Sequence, residues 1–212
     1  MPNKNCIIRL SRYKNALLRL KDLNFVRVFS DNLADAAGVT ASQVRKDFSL
    51  FAITGNRRGG YIVDSLLEQL NEILGKDQVQ DFIVVGVGHI GRAMINYHGF
   101  ENSGIRIVAG FDIDSTKFDK KAKVPIYSLE KLGEYVSEHN IEFGIIAVPD
   151  FAAQQAFDLM IAVGIRGILN FAPICLKSKN GCFINNINLV TELENIIYFV
   201  RTAPKESVTQ NP

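Results

Sequence analysis

The stretch Asp81–Met94, DFIVVGVGHIGRAM, decides how the chain is read. Phe82, Ile83, Val84 and Val85 form a short apolar run of strand formers. Gly86, Gly88 and Gly91 follow with the spacing G-x-G-x-x-G, and helix-compatible residues come next. In a strand-turn-helix of this kind the first glycine permits the sharp reversal, and the second lets a pyrophosphate approach the backbone. The third lets the helix pack closely on the strand, with the phosphates facing the helix N-terminus. Val87, His89 and Ile90, interleaved with the glycines, belong to the same candidate cradle. A second strand-like run, Ile105–Phe111, ends in Asp112, 21 residues after Gly91, where a ribose-binding acid is expected. The plain alternative is a glycine-rich loop of the same shape that holds no nucleotide.

Downstream, strand-like and helix-like segments alternate, the signature of a parallel sheet with crossover helices. Strands are expected at 82–86, 105–111, 124–127, 143–148, 165–170 and 182–187, and helices at about 90–98, 129–139 and 151–163. The runs Gly144–Pro149 and Gly167–Pro173 each end at the sheet's C-terminal edge, where a doubly wound fold binds its ligand. Val148, Pro149, Asn170 and Phe171 are therefore candidates to wall a nicotinamide. Asp112 favours NAD(H) over NADP(H), although Lys117, Lys120, Lys121 and Lys123 follow closely. Leu189–Arg201 carries Leu189, Leu193, Ile196, Ile197 and Val200 on one helical face, a helix that packs either on its own domain or on a partner subunit.

Upstream, residues 7–23 read as an amphipathic helix, and SDNLADAAGVTASQVRKDFSLF, Ser30–Phe51, reads as helix-turn-helix. Ser30 or Asp31 is expected to cap the first helix, Gly38 to stop it, and Thr40 with Gln43 to form a capping box on the second. In that geometry the second helix enters the major groove. It would offer Ser42, Gln43, Arg45 and Lys46 to bases and phosphates, with Val44 and Phe48 toward the core. The following AITGNRRGGYIV brackets Arg57 and Arg58 with glycines, as a β-hairpin wing would, and Asp64–Leu74 reads as a helix. A solvated helical hairpin and a charged surface loop are the bland readings of these two segments.

Charge agrees with this division. Residues 1–78 hold 12 Lys and Arg against 8 Asp and Glu, net +4; residues 79–212 hold 12 against 14, net −2. A basic first third suits a polyanion. No apolar run reaches the roughly 18 residues that span a bilayer, and no secretory leader is expected. Cys6, Cys175 and Cys182 lack metal-ligand spacing and are expected as reduced cytoplasmic thiols, without a metal. His89 lies in the glycine loop, while His98 and His139 are expected at the surface, so an oxidoreductase reading finds no acid/base group.

Taken in order, VRKDFS at Val44–Ser49, GVGHIG at Gly86–Gly91, FDID at Phe111–Asp114, GILNFAP at Gly167–Pro173 and TELENIIYF at Thr191–Phe199 resemble the Rex family of bacterial redox-sensing repressors. The resemblance implies an α/β chain with a winged helix-turn-helix domain at 1–78 and a Rossmann-like domain at 79–188. It further implies a swapped dimerisation helix at 189–203, before a disordered tail at 204–212. It implies a cytoplasmic homodimer that reads a palindromic DNA operator, binds NAD(H) and is released by NADH. Carried over by position, Arg45, Lys46 and Arg57 match DNA-contacting residues. Gly86, Gly88, Gly91 and Asp112 match the cofactor loop and its acid, Tyr97 a switching tyrosine, and Leu189 the swapped residue near the nicotinamide. Two departures stand out. Asn15 and Asn188 occupy the places of an arginine and an aspartate described as the family's switching pair, and two amides form no charged pair. In the wing, Asn56 replaces a common lysine and Arg58 a glycine. An altered NADH response is expected. The competing readings are a small NAD-dependent oxidoreductase, and a DNA-binding protein that keeps the second domain only as a dimerisation scaffold.

Overall fold

The computed structural model describes residues 2–56 and 58–202. Arg57 and the 204–212 tail lie outside the described residues. The chain divides into two compact units at Val79/Gln80.

The first unit runs α1 (Lys4–Asp22), β1 (Arg27–Val28), α2 (Ser30–Ala37), α3 (Ala41–Ser49), β2 (Tyr61–Ile62) and α4 (Val63–Ile73). Leu10, Leu17, Leu33, Val44, Phe48, Leu66 and Leu70 bury one face of each helix in a common core. Tyr13 and Tyr61 meet Phe48 edge-on, with centroids 5.5 and 5.2 Å away. Asn3 caps α1 by accepting the Cys6 N–H at 2.9 Å. The start of α2 departs from expectation. Its cap position is Phe29, neither Ser30 nor Asp31, and the Asn32 side chain accepts the Phe29 N–H at 2.8 Å. Ser30 is buried instead. Gly38 ends α2 in the left-handed region at φ +67°. Thr40 Oγ1 accepts the Gln43 N–H at 3.2 Å, but the reciprocal half of the expected box is missing because Gln43 is engaged with Asp47.

The wing is smaller than a free-standing hairpin. Asn56 and Gly60 exchange both backbone hydrogen bonds, at 2.8 and 3.1 Å, and the sheet pairing comes from Arg27–Val28 against Tyr61–Ile62. Asn56 Oδ1 closes the turn by accepting the N–H groups of Arg58 and Gly59 at 2.8 and 3.2 Å. Arg27 donates to the Gly59 carbonyl at 2.8 Å and ties β1 to the turn.

The second unit contains β3 (Gln80–Val85), α5 (His89–Ile95), β4 (Ile105–Asp112), β5 (Ile126–Ser128), α6 (Leu132–His139), β6 (Phe143–Ile146), α7 (Asp150–Ala162), β7 (Gly167–Asn170), β8 (Phe183–Asn186) and α8 (Leu189–Thr202). The strands pair in parallel in the order β5-β4-β3-β6-β7-β8. Chain order reverses direction between β3 and β6, and the glycine loop sits at that switch point. The residues of the expected 129–139 helix split into a 3₁₀ turn, Leu129–Lys131, and α6. The helix after the glycine loop stops at Ile95, and His98–Ser103 continues as a 3₁₀ segment. Ile83, Val85, Phe111, Ile146, Phe157 and Met160 form the main core under α6 and α7. Between β4 and β5 the chain makes only a 3₁₀ turn, Ser115–Lys117, where a doubly wound fold usually places a helix. No residue of α8 is buried, and Leu193, Ile196, Ile197, Tyr198 and Phe199 are exposed. Among the described residues no helix is long and apolar enough to cross a membrane.

Candidate functional site

A cleft of about 400 Å³ opens at the C-terminal ends of β3, β4 and β6. Gly86 turns out of β3 at φ +94°, and a Cβ there would stand 2.6 Å from the Ala147 carbonyl oxygen. A Cβ on Gly91 would run into the Gly86 carbonyl. A Cβ on Gly88 would meet nothing of the protein within 4 Å. The first and third glycines are therefore required by the fold, whereas the second keeps open a space that the protein itself does not use. A pyrophosphate lying on the backbone fits that space, beside the α5 N-terminus.

Asp112 closes β4 and is 6% exposed. Its Oδ2 accepts the Val87 N–H at 2.7 Å and the Lys117 ammonium at 2.9 Å, and its Oδ1 accepts the Asp114 N–H at 2.9 Å. Burial pushes this carboxyl up; the Asp114 N–H, Lys117 and the Val87 N–H outweigh it and leave Asp112 below the usual carboxylate range. The acid is thus ionised and held in place at the wall of the cleft.

Gly86, Gly88, Asp112, Val148 and Pro149 all line this cleft. Val87 contributes its N–H, while its side chain is buried and faces a second cleft on the α5 side of β4. His89 and Ile90 are exposed on the first turn of α5, and Gly91 is buried beneath it. Tyr97 borders the second cleft and packs edge-on to Phe100 at 4.9 Å. Leu189 is exposed on α8.

Asn170 does not line this cleft. It is 0% exposed, and its amide is used internally: Nδ2 donates to the Ile174 carbonyl and to Asn186 Oδ1, each at 2.9 Å, and Oδ1 accepts the Ala172 N–H at 2.9 Å. It shapes the loop after β7. Phe171, half-buried, packs against the cluster of Val84, Ile107 and Ile145. Sequence reasoning missed Phe151, which is 86% exposed at the start of α7 and lines the cleft, and placed Lys117 only among four lysines that temper the preference for NAD(H). The signal for Phe151 was an aromatic in the first turn after the strand-ending Val-Pro.

In the first unit Ser42, Arg45 and Lys46 are exposed along α3, and Arg58 is exposed on the wing turn. Gln43 differs: it is half-buried, and its Nε2 donates to Asp47 Oδ1 at 2.8 Å. Asp47, 1% exposed, is a hub. Arg9 grips it with Nε and Nη2 at 2.6 and 2.7 Å, Tyr13 donates at 2.9 Å, and the Cys6 thiol lies 3.5 Å away. Burial pushes the Asp47 carboxyl up, but hydrogen bonds from Arg9, Tyr13 and Gln43 and the charge of Arg9 hold it down to about 2. This network clamps α3 to α1 and presents Ser42, Arg45 and Lys46 on a rigid face. Asn188 Oδ1 accepts the N–H groups of Val190 and Thr191 at 3.0 and 3.3 Å, capping α8. Asn15 is exposed on α1. Among the described residues no His, Cys, Asp and Glu cluster could hold a metal.

Comparison with known proteins adds to this geometry. Residues 3–49 match a family described as a putative DNA-binding protein N-terminus, and residues 77–174 match the CoA binding domain. The redox-sensing transcriptional repressor Rex of Desulforamulus reducens is 39% identical over 91% of this chain and 92% of its own length. The Rex protein of Lactobacillus acidophilus is 37% identical over the same shares. Among solved structures, RSP in complex with β-NAD⁺ and operator DNA superposes with a TM-score of 0.89, at 33% identity, covering 95% of this chain and 93% of that one. RSP in complex with β-NADH superposes with a TM-score of 0.83 at the same identity, covering 95% of each chain.

Proposed function

This chain belongs to the Rex family of redox-sensing transcriptional repressors, and on that premise we propose that it is a cytoplasmic homodimeric repressor whose hold on a palindromic DNA operator is weakened by NADH. The observation that carries the reading is the pairing, in one chain, of a clamped helix-turn-helix with a glycine cradle whose open space at Gly88 the protein leaves free. Arg45, Lys46 and Ser42 on α3 contact bases and phosphates, and Arg57 and Arg58 meet the flanking backbone. Gly86, Gly88 and the α5 N-terminus hold the pyrophosphate and Asp112 the adenosine ribose; Val148 and Pro149, expected from the sequence beside the nicotinamide, line the Asp112 cleft with Phe151, so we place all three against the adenine instead.

The match to a CoA binding domain reports the shared fold. A 3′-phosphate on the adenosine ribose would face the Asp112 carboxylate, whereas free ribose hydroxyls would not, so NAD(H) fits these residues better. Once bound, the nicotinamide supplies the signal through its oxidation state; the protein supplies the readout. NADH need only bind the DNA-incompetent arrangement more tightly, and operator DNA must then weaken NADH binding by the same factor. The exposed apolar face of α8 packs on a second copy, which makes the dimer and brings two recognition helices onto one operator.

The NADH response is altered by Asn15 and Asn188. Asn188 still caps α8, a job an aspartate would also do, but it gives up the negative charge that the family's switching pair carries. Two neutral amides cannot supply the ion pair on which that coupling would rest. Titrating NADH into the operator complex tests this reading. A shallow or partial release is expected, sharpened in a variant carrying both Asn15→Arg and Asn188→Asp. Complete release of the parent at low micromolar NADH would refute it.

A further inference from the structure

We infer that Lys117 is the second half of the ribose subsite and the residue that sets how strongly this protein distinguishes NADH from NADPH. The inference rests on the dinucleotide reading of the cleft and goes beyond it. An ionised carboxylate accepts in about four directions. Asp112 has three of them occupied within the protein, by Val87 and Lys117 on Oδ2 and by Asp114 on Oδ1. One remains, on Oδ1. The two-oxygen grip on a ribose diol, which a lone acid at this place would offer, is therefore closed to Asp112 unless Oδ2 releases the Val87 N–H or Lys117.

Lys117 supplies what the acid lacks. Its ammonium lies 2.9 Å from Asp112 Oδ2 and 3.9 Å from Asp114 Oδ2, and the residue lines the same cleft. Its side chain is 26% exposed, so it sits at the wall of the cleft rather than in bulk solvent. With one N–H on Asp112, two donors remain for ribose hydroxyl oxygens. One hydroxyl donates to Asp112 and the other accepts from Lys117.

The charges make the second consequence. Asp112 and Asp114 bring two negative charges to the place where a 2′-phosphate would lie, and Lys117 cancels one. Asp114 Oδ1 is held by the Thr116 N–H and hydroxyl at 3.0 and 2.7 Å, which keeps that carboxylate in place. Lys117 thus weakens rejection of NADPH while helping to bind NADH. Removing its charge should harm the phosphorylated dinucleotide far more than the other.

The test is a pair of dissociation constants, for NADH and NADPH, on the full chain and on Lys117→Met, read by the fluorescence of the reduced nicotinamide. The expected result is NADH weakened about 5-fold and NADPH at least about 50-fold, so that discrimination rises about tenfold. Lys117→Arg, which keeps the charge, should restore the parent ratio. Lys117→Gln serves if the methionine variant fails to fold, judged by circular dichroism, and the same rise is expected. Equal weakening of both dinucleotides, or a ratio in Lys117→Met within twofold of the parent, overturns the inference and leaves Lys117 a loop-stabilising residue. If the parent chain binds neither dinucleotide, the reading of the cleft itself falls instead.

Discussion

Replacing Asp47 by asparagine keeps the shape of the hub and removes its charge. In the parent the carboxyl is held at about 2 against an ordinary value of 3.8. A depression of nearly two units corresponds to roughly 2.5 kcal/mol at neutral pH. Breaking a buried pair by removing one member costs about 3–5 kcal/mol in general. Arg9 is 21% exposed here and is partly rehydrated when it loses its partner, so the lower figure is the better guide. Asp47→Asn should therefore destabilise the first unit by about 2–3 kcal/mol. For a unit of this size that lowers the melting temperature by roughly 10–20 °C. The sign with pH follows from the depressed value: the contribution is fully present above about pH 4 and is lost as pH falls toward 2. Scanning calorimetry of parent and variant between pH 2 and 7 measures both quantities. The two melting temperatures should converge at the acid end, and operator affinity should fall because α3 is no longer clamped to α1. A variant within about 0.5 kcal/mol of the parent at pH 7, with an unchanged acid slope, would refute the hub argument.

Three further outcomes follow from individual residues. Lys14 is 6% exposed and faces Lys76; burial first, then that second ammonium, lowers it to about 8 from 10.5. The buried charge costs a constant roughly 3 kcal/mol below pH 8, and stability recovers as pH rises from 8 to 10.5. Lys14→Met should stabilise the first unit by about 2–3 kcal/mol at pH 7 and by almost nothing near pH 10.5, in denaturant titrations at the two pH values. Gly88→Ala should sharply weaken NADH binding, read by nicotinamide fluorescence, while moving the melting temperature by less than about 2 °C, because its Cβ meets no protein atom; Gly91→Ala, driven into the Gly86 carbonyl, should unfold the unit instead. Ile196→Asp, on the exposed face of α8, should convert a dimer to a monomer in sedimentation velocity and lower operator affinity at least about 100-fold, without unfolding either unit.

Much of the nucleotide-binding unit was legible because local rules agree there. Apolar runs, a three-glycine turn and an acid at the end of the next strand each have one physical cause, and they meet at the switch point. The helix-turn-helix was legible for the same reason, with Gly38 in the left-handed region and Thr40 capping. What escaped were polar residues whose partners are distant in sequence. Asp47 sits between Val44 and Phe48, where a charge must find a counter-ion, but α1 supplies it from Arg9, 38 residues away. Gln43 reads as a groove residue until Asp47 claims its amide. Asn170, placed by sequence beside the ligand, is consumed by its own loop and by Asn186 on β8. Lys117 belonged to an undifferentiated run of lysines; only the fold of the β4–β5 turn shows that it lies on Asp112. The wing arginines were visible as a charged turn, yet the device that closes the turn, Asn56 Oδ1, depends on backbone geometry that spacing does not reveal.

Fluorescence anisotropy of a palindromic operator at fixed salt, with no cofactor, with saturating NAD⁺ and with increasing NADH, asks in one experiment whether this chain reads both DNA and the redox state of a dinucleotide. Specific binding is expected without cofactor and with NAD⁺, and weaker binding as NADH rises, with a midpoint that shifts upward when NAD⁺ competes. Operator binding indifferent to saturating NADH, in a protein shown to bind NADH, would contradict it.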